Sequence, residues 1–546
     1  MQDGMANVVK TSIAILLWMV WLLPAGAALG IMPPTDPDPR QVENLRRTMT
    51  LLNTSTPEHR NTVRILFYGQ SITLQDWWLQ VAQSIRDNYP SANLIIVNRA
   101  INGHTVDLLL RDALSDVYPF QPDLIIFQAY GPEEAHEQFQ QNLHLRTCAD
   151  VMWQNDHYAS WDGEPGEPQP ASTLTPTNVN WHSFVFMPNA AARYGDCLVD
   201  VRTPWEAYLR TNNLSRNDLL QDQIHPNADG RQLMANIIRP YLAPREGFVS
   251  PDPYNSQGVH TYRVGDQINW LNGALAVPFI GSRVDVILGP GQSIPLTAEI
   301  DGQQPSALTN NWVFTRTTTF GGYGFPSLLR VDSAAKLQAE HWELTVTASL
   351  GSDGFAFALH GSLTGDDGVG TNTMIFRSNS GRVVLHPEDW SLQLPAPGFK
   401  VSWDVVSLGT DTVYATPPAD GQVESVITVA QNLSDDFHLL LLKATGPGTP
   451  AIRAVRVYSP AERYAATYRG PVVEFTFGRG AVPQLQWPAW LPGWQPEQRS
   501  SMDPAVEWTP LLGDPTLVQQ KMALEVFGEA PISLYRLRFV GGVEGL

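Results

Sequence analysis

Ser71, Asp222 and His225 are the residues whose types and setting could do chemistry together. A serine hydroxyl is a weak nucleophile until an imidazole takes its proton. A carboxylate on the ring's other nitrogen orients the imidazole and stabilises the imidazolium that forms. Ser71 stands in the stretch Arg64-Ile65-Leu66-Phe67-Tyr68-Gly69-Gln70-Ser71-Ile72-Thr73. The short apolar run at 65–68 stops at Gly69 and predicts a buried strand. Leu74, Trp77, Trp78, Val81 and Ile85 then fall on one face of a helix. A serine between strand and helix lies at a sheet edge, its own N–H pointing outward, where a helix N-terminus favours negative charge. It could supply both a nucleophile and half of an oxyanion hole. The same position also suits a serine that merely caps the helix. Asp222-Gln223-Ile224-His225-Pro226 precedes another helical pattern, which Pro226 could open. Asp222 and His225 would then share a constrained loop facing a point above the sheet. Alternatively, Asp222 is an exposed loop acid and His225 a satisfied polar residue.

The elements that must hold these residues in place alternate in type. Apolar runs predict strands ending at Tyr68 and over 93–97, 123–129, 149–154 and 198–201. Helical spacing covers 42–52, 74–88, 106–114, 133–145, a stretch reaching Tyr194, and 228–241. This alternation means a parallel sheet covered by helices on both faces, with right-handed connections. Ligands on such sheets bind beyond the carboxyl ends of the strands, where Ser71 and Gly103 fall. From Phe248 onward the helical period disappears. Runs such as 283–287, 296–300, 343–346, 355–359, 400–406, 423–430, 438–442 and 452–457 alternate between Gly, Asp, Pro and Asn turns, as in β-sandwiches or jelly rolls.

Taken in order, Gly69-Gln70-Ser71-Ile72-Thr73, Arg99-Ala100-Ile101-Asn102-Gly103, Asp123-Leu124-Ile125-Ile126-Phe127 and Asp222-Gln223-Ile224-His225-Pro226 resemble the motif blocks of the SGNH/GDSL hydrolases, over about residues 61–242. The likeness is greatest to the carbohydrate-esterase branch. It implies a flavodoxin-like sheet, Ser71 as nucleophile, and His225 as general base supported by Asp222. It further implies an oxyanion hole built from the Ser71 and Gly103 N–H groups, and hydrolysis of an ester, often an acetyl group on a sugar. Two positions depart from the family pattern. Gln70 replaces the usual Asp before the serine, a side chain that does no chemistry. The third block reads Tyr130-Gly131-Pro132-Glu133 where Gly-x-Asn is expected. An ionised Glu133 only accepts hydrogen bonds and would repel the developing oxyanion. Either two backbone donors suffice, or Asn102, Gln128 or Tyr130 stands in. Loss of one donor costs on the order of 3 kcal/mol.

Other side chains have two readings. Trp77 or Trp78 could stack on a sugar ring, or both could pack the helix onto the sheet. His104 could line the pocket or be a hydrogen-bonded structural histidine. His157 follows the fourth strand and could reach the site mouth. His136 and His144 lie on a helix without metal-ligand spacing and read as solvated. No metal-ligand pattern appears, and no cofactor is expected.

Composition bounds the rest. At 546 residues the chain is too long for one ordinary core. A formal charge of −19 argues against nucleic acid or anionic lipid as a partner. Residues 1–30 read as an export signal: Lys10, an apolar run at 13–23, Pro24 and small residues at 25–27. The alternative is a retained, tilted anchor, although the run is shorter than the roughly 20 residues that cross a bilayer. A secreted or cell-surface location is therefore expected. The two cysteines, Cys148 and Cys197, exclude a disulfide scaffold and a Cys-rich zinc site. They could be bridged after export, or remain buried thiols.

The expected division is a spacer and helix at 31–60, a hydrolase domain at 61–246, a β-sandwich at 247–395, a second β-rich module at 396–465, and a Pro/Trp-rich β region at 466–546. His341-Trp342-Glu343-Leu344 and the His-Leu run at His438 hint at a tandem copy. The Trp487, Trp490 and Trp494 cluster would suit sugar stacking or a protein contact if exposed, and a covered sheet edge if buried. Besides an esterase for lipids or acyl-thioesters, which the apolar content around the motifs does not decide, two functions fit this sequence. One is a secreted serine esterase deacylating a carbohydrate. The other is a carbohydrate-binding or surface protein whose hydrolase domain is weakened by Glu133.

Overall fold

Helices α1 (Pro39–Glu43) and α2 (Arg46–Asn53) lead into strand β1 (Thr62–Gly69). Helices α3 (Ser71–Leu74) and α4 (Trp77–Asn88) follow. Next come β2 (Asn93–Asn98), α5 (Val106–Asp116), β3 (Leu124–Gln128), α6 (Glu133–Arg146) and β4 (Asp150–Gln154). Helix α7 (Val179–Trp181), a π-helical turn and α8 (Met187–Tyr194) precede β5 (Cys197–Val199), α9 (Arg202–Thr211) and α10 (Ala228–Ile238). This computed structural model describes residues 36–166, 179–245, 252–321, 324–392, 395–416 and 422–468, with parts of 474–539. The expected export segment lies outside the described residues. Among them, no helix is long and apolar enough to cross a membrane.

The five strands pair in parallel in the order β2-β1-β3-β4-β5. That is the flavodoxin-like order, with its switch point between β1 and β3. The continuous apolar run in β1 has a simple cause: Ile65 and Phe67 enter the core on one face, while Leu66 and Tyr68 enter the core on the other. Ser71 therefore leaves the sheet at the switch point, on its carboxyl edge.

Several expected elements change shape. The helix at 42–52 is two, α1 and α2. The helix at 74–88 is interrupted at Gln75, whose backbone is extended. There the Trp77 indole N–H donates to the Ile72 carbonyl at 2.6 Å and ties the two pieces together. Helix α9 was not anticipated. His136 and His144 are buried, not solvated. Helix α6 has a polar sequence, yet the sheet lies beneath it and a later helix, α11 (Pro460–Thr467), covers its outer side. His136 sits among Phe127, Trp153 and His182, and burial pushes its pKa well down. His144 bonds Asp196 at 2.7 Å. Cys148 and Cys197 are separate buried thiols.

In the back half, β6 (Val259–Arg263), β7 (Ala274–Ile280), β8 (Arg283–Leu288) and β9 (Ile294–Ile300) are followed by a second unit. That unit holds β10 (Trp312–Phe314), β11 (Thr319–Phe320), β12 (Phe325–Pro326), β13 (Glu340–Ser349), β14 (Phe355–Gly361), β15 (Gly365–Thr371), β16 (Phe376–Arg377), β17 (Val384–Leu385) and β18 (Lys400–Ser407). Then come β19 (Thr412–Ala415), β20 (Val426–Ala430), β21 (Phe437–Ala444) and β22 (Ile452–Tyr458). Two four-stranded sheets, β19-β9-β21-β7 and β20-β8-β22-β6, enclose one core. The middle unit forms its own sheet, β10-β18-β13-β14-β15, over a separate core. The strand pairing thus departs from the expected division at 395/396. Residues 259–300 and 412–458 make one sandwich, and the second unit is inserted between them. The tandem copy is absent too: the strand with His341 lies in the inserted sheet, and the strand with His438 in the sandwich. The last region contains further antiparallel strands, among them Pro483–Pro488 paired with Lys521–Glu525. The burial of Trp487, Trp490 and Trp494 lies outside the described residues.

The sandwich is fixed to the α/β domain by buried charge. Arg463 of α11 pairs with Asp150 of β4 at 2.6 Å and also donates to the Cys148 carbonyl.

Candidate active site

Ser71, His225 and Asp222 meet above the carboxyl edge of the sheet. His225 Nε2 lies 2.9 Å from Ser71 Oγ, and its Nδ1 lies 2.8 Å from Asp222 Oδ2. The other carboxylate oxygen, Oδ1, accepts the N–H groups of Ile224 (2.9 Å) and His225 (2.7 Å). Slight burial pulls the Asp222 pKa up, but these N–H groups and the His225 ring hold it below the ordinary carboxylate range. An ionised Asp222 accepts the Nδ1 proton, which leaves Nε2 free to take one from Ser71.

Local sequence explains each placement. Gly69 ends β1 with φ +149°, and a Cβ there would sit 2.0 Å from the Gln128 carbonyl oxygen, so the chain can turn towards Ser71 only at a glycine. Asn98 joins two turns: its amide donates to the Thr73 carbonyl at 2.8 Å, and its oxygen accepts the Ala100 N–H at 2.9 Å. Gln70 joins three. With its amide oriented to satisfy both groups, it donates to the His104 carbonyl (3.2 Å) and accepts from the Tyr130 N–H (3.3 Å). Gly103 has φ +68° on the turn after β2, and the ring of Phe325 packs against it. Neither the Ser71 nor the Gly103 N–H has a hydrogen bond among the described residues.

The three stand-ins considered for the missing donor, and Glu133 itself, fare differently. Gln128 is buried and spends its amide on Asp156 at 2.9 Å. Glu133 accepts the Trp181 indole N–H at 2.8 Å, and its partial burial raises its pKa. The Tyr130 phenol is buried in the field of Asp156, Asp162 and Arg202, and its hydroxyl has no hydrogen-bond partner among the described residues. Asn102 is half-buried beside Gly103, and its side chain has no hydrogen bond among the described residues.

The three candidate substrate contacts are all buried. Trp77 is 0 % exposed and cannot offer a ring face to a sugar; Trp78 packs on Phe67. His104 bonds Asp112 at 2.8 Å inside the fold. His157 lies under the catalytic loop, not at its mouth: its Nε2 donates to the Ile224 carbonyl at 2.7 Å. Burial pushes the His157 pKa down to about 4, so the ring is neutral, and the carbonyl acceptor fixes its proton on Nε2.

Sequence reasoning missed the frame around His157. The Ser160 N–H donates to the Gln223 carbonyl at 2.9 Å. Arg202, fully buried, donates to the His157 carbonyl (3.1 Å), pairs with Asp162 (2.7 Å) and lies over the Tyr158 ring. Between Ser160 and Asp162, Trp161 is 57 % exposed. An unusually solvated tryptophan between two anchored neighbours is a signal that only a structure supplies.

The α/β domain has the flavodoxin-like strand order that the resemblance to the SGNH/GDSL hydrolases implies. Parallel strand order, a serine after β1, a glycine turn after β2 and Asp-x-x-His before the last helix coincide in one geometry. No protein-family model matches the chain, and no curated protein matches it. Among solved structures, it is similar to a two-domain esterase active on acetylated mannans (12 % identity, 77 % of this chain, 98 % of that chain, TM-score 0.31). It is also similar to a GDSL-like lipase from Parabacteroides merdae (18 %, 34 % and 98 %, TM-score 0.29) and to an acetylxylan esterase from Geobacillus stearothermophilus (15 %, 36 % and 100 %, TM-score 0.29). At these scores the similarities add nothing to what the SGNH-like topology and the triad already carry.

Proposed function

We propose that this chain is a serine carboxylic-ester hydrolase that removes acyl groups, acetyl above all, from a carbohydrate. The observation that carries the reading is the continuous Ser71–His225–Asp222 hydrogen-bonded chain, 2.9 and 2.8 Å per link. Ser71 Oγ attacks the acyl carbonyl while His225 Nε2 takes its proton. The oxyanion is held by the N–H groups of Ser71 and Gly103. His225 gives the proton to the departing sugar oxygen, which leaves as a hydroxyl when the acyl C–O bond breaks. Water, deprotonated by His225, then releases the acid from acyl-Ser71. Asn102 is the side chain left to serve as a third donor, since the Gln128 amide and Glu133 are engaged elsewhere and the Tyr130 hydroxyl is buried.

A carbohydrate substrate is supported by Trp161, whose exposed indole stands beside the catalytic loop and offers the flat apolar face that sugar rings stack on. Export rests on the sequence of residues 1–30 alone, and N-terminal sequencing of protein recovered from the medium tests it.

The deciding experiment measures acetate release from acetylated xylan and mannan and from an aryl acetate, and maps a fluorophosphonate adduct. Native protein should release acetate and carry the adduct on Ser71, and Ser71→Ala should do neither. Equal rates for native and Ser71→Ala would end the serine mechanism. The second reading, a carbohydrate-binding protein with a weakened hydrolase domain, is favoured by Glu133 accepting from Trp181 where the family has a donor. It predicts sugar binding without acetate release or adduct.

A further inference from the structure

The turn that carries Gly103 is gripped from outside its own domain. On the inner side, the Arg99 N–H donates to the Phe67 carbonyl and the Ile101 N–H to the Gly69 carbonyl, both at 2.9 Å. On the outer side stands the inserted β unit. Its segment 315–318 is tied to β18 by the Thr315 N–H on the Asp404 carbonyl (2.8 Å) and the Thr318 N–H on the Ser402 carbonyl (2.9 Å). From this support Arg316 reaches across. Its Nη2 donates to the Arg99 carbonyl at 2.8 Å and to Asp116 Oδ2 at 2.6 Å, and its Nε lies 3.1 Å from Asp116 Oδ1. Asp116 is buried at the end of α5. The Arg99 guanidinium in turn donates to the Asp116 carbonyl at 2.5 Å. Farther along the turn, the Phe325 ring stacks on His104 at 5.6 Å and 9°, and its Cε1 would lie 3.2 Å from a Cβ on Gly103. His104 cannot yield, because Asp112 holds its ring from the other side at 2.8 Å.

We propose that the inserted β unit is part of the catalytic apparatus, with Arg316 and Phe325 as positioning residues that clamp the 99–104 turn and fix the direction of the Gly103 N–H. The proposal rests on the serine-esterase reading above. A donor aids catalysis only if it already points to where the oxyanion will form, and a displacement of about 1 Å costs on the order of a hundredfold in rate. A peptide turn flanked by a left-handed glycine has little stiffness of its own. Here one end is fixed by a single hydrogen bond to the Arg99 carbonyl from Arg316, which a bidentate, partly buried pair with Asp116 holds in place, and the other by a ring stack. Both come from residues more than 200 positions along the chain from the turn they hold. Plain domain packing makes a different prediction. It expects lost stability on mutation and unchanged kinetics per folded molecule.

The test uses the full chain with Arg316→Lys, Phe325→Leu and Phe325→Ala. Each is measured for kcat and KM on an aryl acetate, for inhibition by an alkylboronic acid, for the pH profile and for thermal unfolding. The boronate forms a tetrahedral adduct on the serine and places an oxygen where the oxyanion would lie. For Arg316→Lys and Phe325→Ala we expect kcat lower by about tenfold or more, KM within about twofold, and boronate affinity weakened in step with kcat. The pH profile should not move, because neither side chain touches the His225–Asp222 pair, and Phe325→Leu should recover part of the loss. Variants that unfold earlier yet match native kcat and boronate affinity per folded molecule overturn the clamp. Arg316→Lys and Phe325→Leu keep charge and bulk, so this comparison survives even if Phe325→Ala does not fold. The native control separates the two readings. A native protein inert to ester, boronate and fluorophosphonate overturns the esterase reading itself, whereas an active native protein with unaffected variants overturns only the clamp.

Discussion

The catalytic loop keeps its shape through single atoms. The Ile224 carbonyl accepts the His157 Nε2–H, and the Ile224 and His225 N–H groups donate to Asp222. His157→Phe retains the ring volume and removes that hydrogen bond, leaving a carbonyl beneath the loop without its partner. We expect kcat to fall by about tenfold with KM nearly unchanged, read on an aryl acetate. Gly103→Ala adds a Cβ at φ +68°, 3.2 Å from Phe325. It should lower kcat by about a hundredfold while leaving the Ser71–His225 contact intact, checked by fluorophosphonate labelling. Trp161→Ala should raise KM on acetylated oligosaccharides several-fold and leave the aryl acetate unaffected, which separates sugar contact from chemistry. Ser71, Asp222 and His225 were legible because each sits in a short motif at a predicted element boundary. The tasks of His157, His104 and Trp77 were not. A histidine at the end of a strand looks alike in sequence whether it faces solvent or props a loop, and only burial tells the two apart.

At the scale of elements, the segment after β4 is the support on which the loop rests. Asp156 lies within it, buried, and burial pushes its pKa up to about 7 although the Gln128 hydrogen bond pulls the other way. The folded state therefore holds this proton over a range where the unfolded chain, titrating near 3.9, has released it. Between those values the native state binds more protons, so this group's contribution to stability is full below about pH 4 and is lost as pH rises through about 7. Asp156→Asn cannot ionise and can still accept from Gln128. Its thermal midpoint should exceed that of the native protein at pH 8 and converge with it near pH 4, in unfolding scans across that range. Strand positions in the parallel sheet were readable because both faces are apolar, so an unbroken hydrophobic run is the signature itself. Helix α9 did carry readable signals, Pro204 in its first turn and Trp205, Tyr208 and Leu209 at helical spacing, but it is only ten residues long and follows β5 almost directly. The break at Gln75 was hidden, since Leu74 continues the helical pattern across it.

For the whole molecule, the junction between the α/β domain and the sandwich depends on Arg463. Its removal would strand Asp150, which is buried and also receives the Thr48 N–H. Arg463→Ala should cost about 3–5 kcal/mol in chemical denaturation, because an unpaired buried carboxylate remains. Arg463→Met with Asp150→Asn should recover much of that loss. The arrangement of the back half could not be read from its strands. Alternating residues say which face is buried and nothing about which strand lies alongside, so a sandwich interrupted by another unit looks the same on paper as two modules in series.

The pairing pattern of that sandwich has a consequence for the making of the protein. Every neighbour of β6 to β9 within the two sheets belongs to β19 to β22, and no two strands of the leading group adjoin. A ribosome that has released residues up to about 410 has thus delivered half of each sheet with no neighbouring strand of that sheet in the emerged chain, while the inserted unit is already whole. At about 5–20 residues per second, those open edges wait several seconds for their complement. Nascent chains halted there should bind a chaperone, and those halted past Tyr458 should let it go.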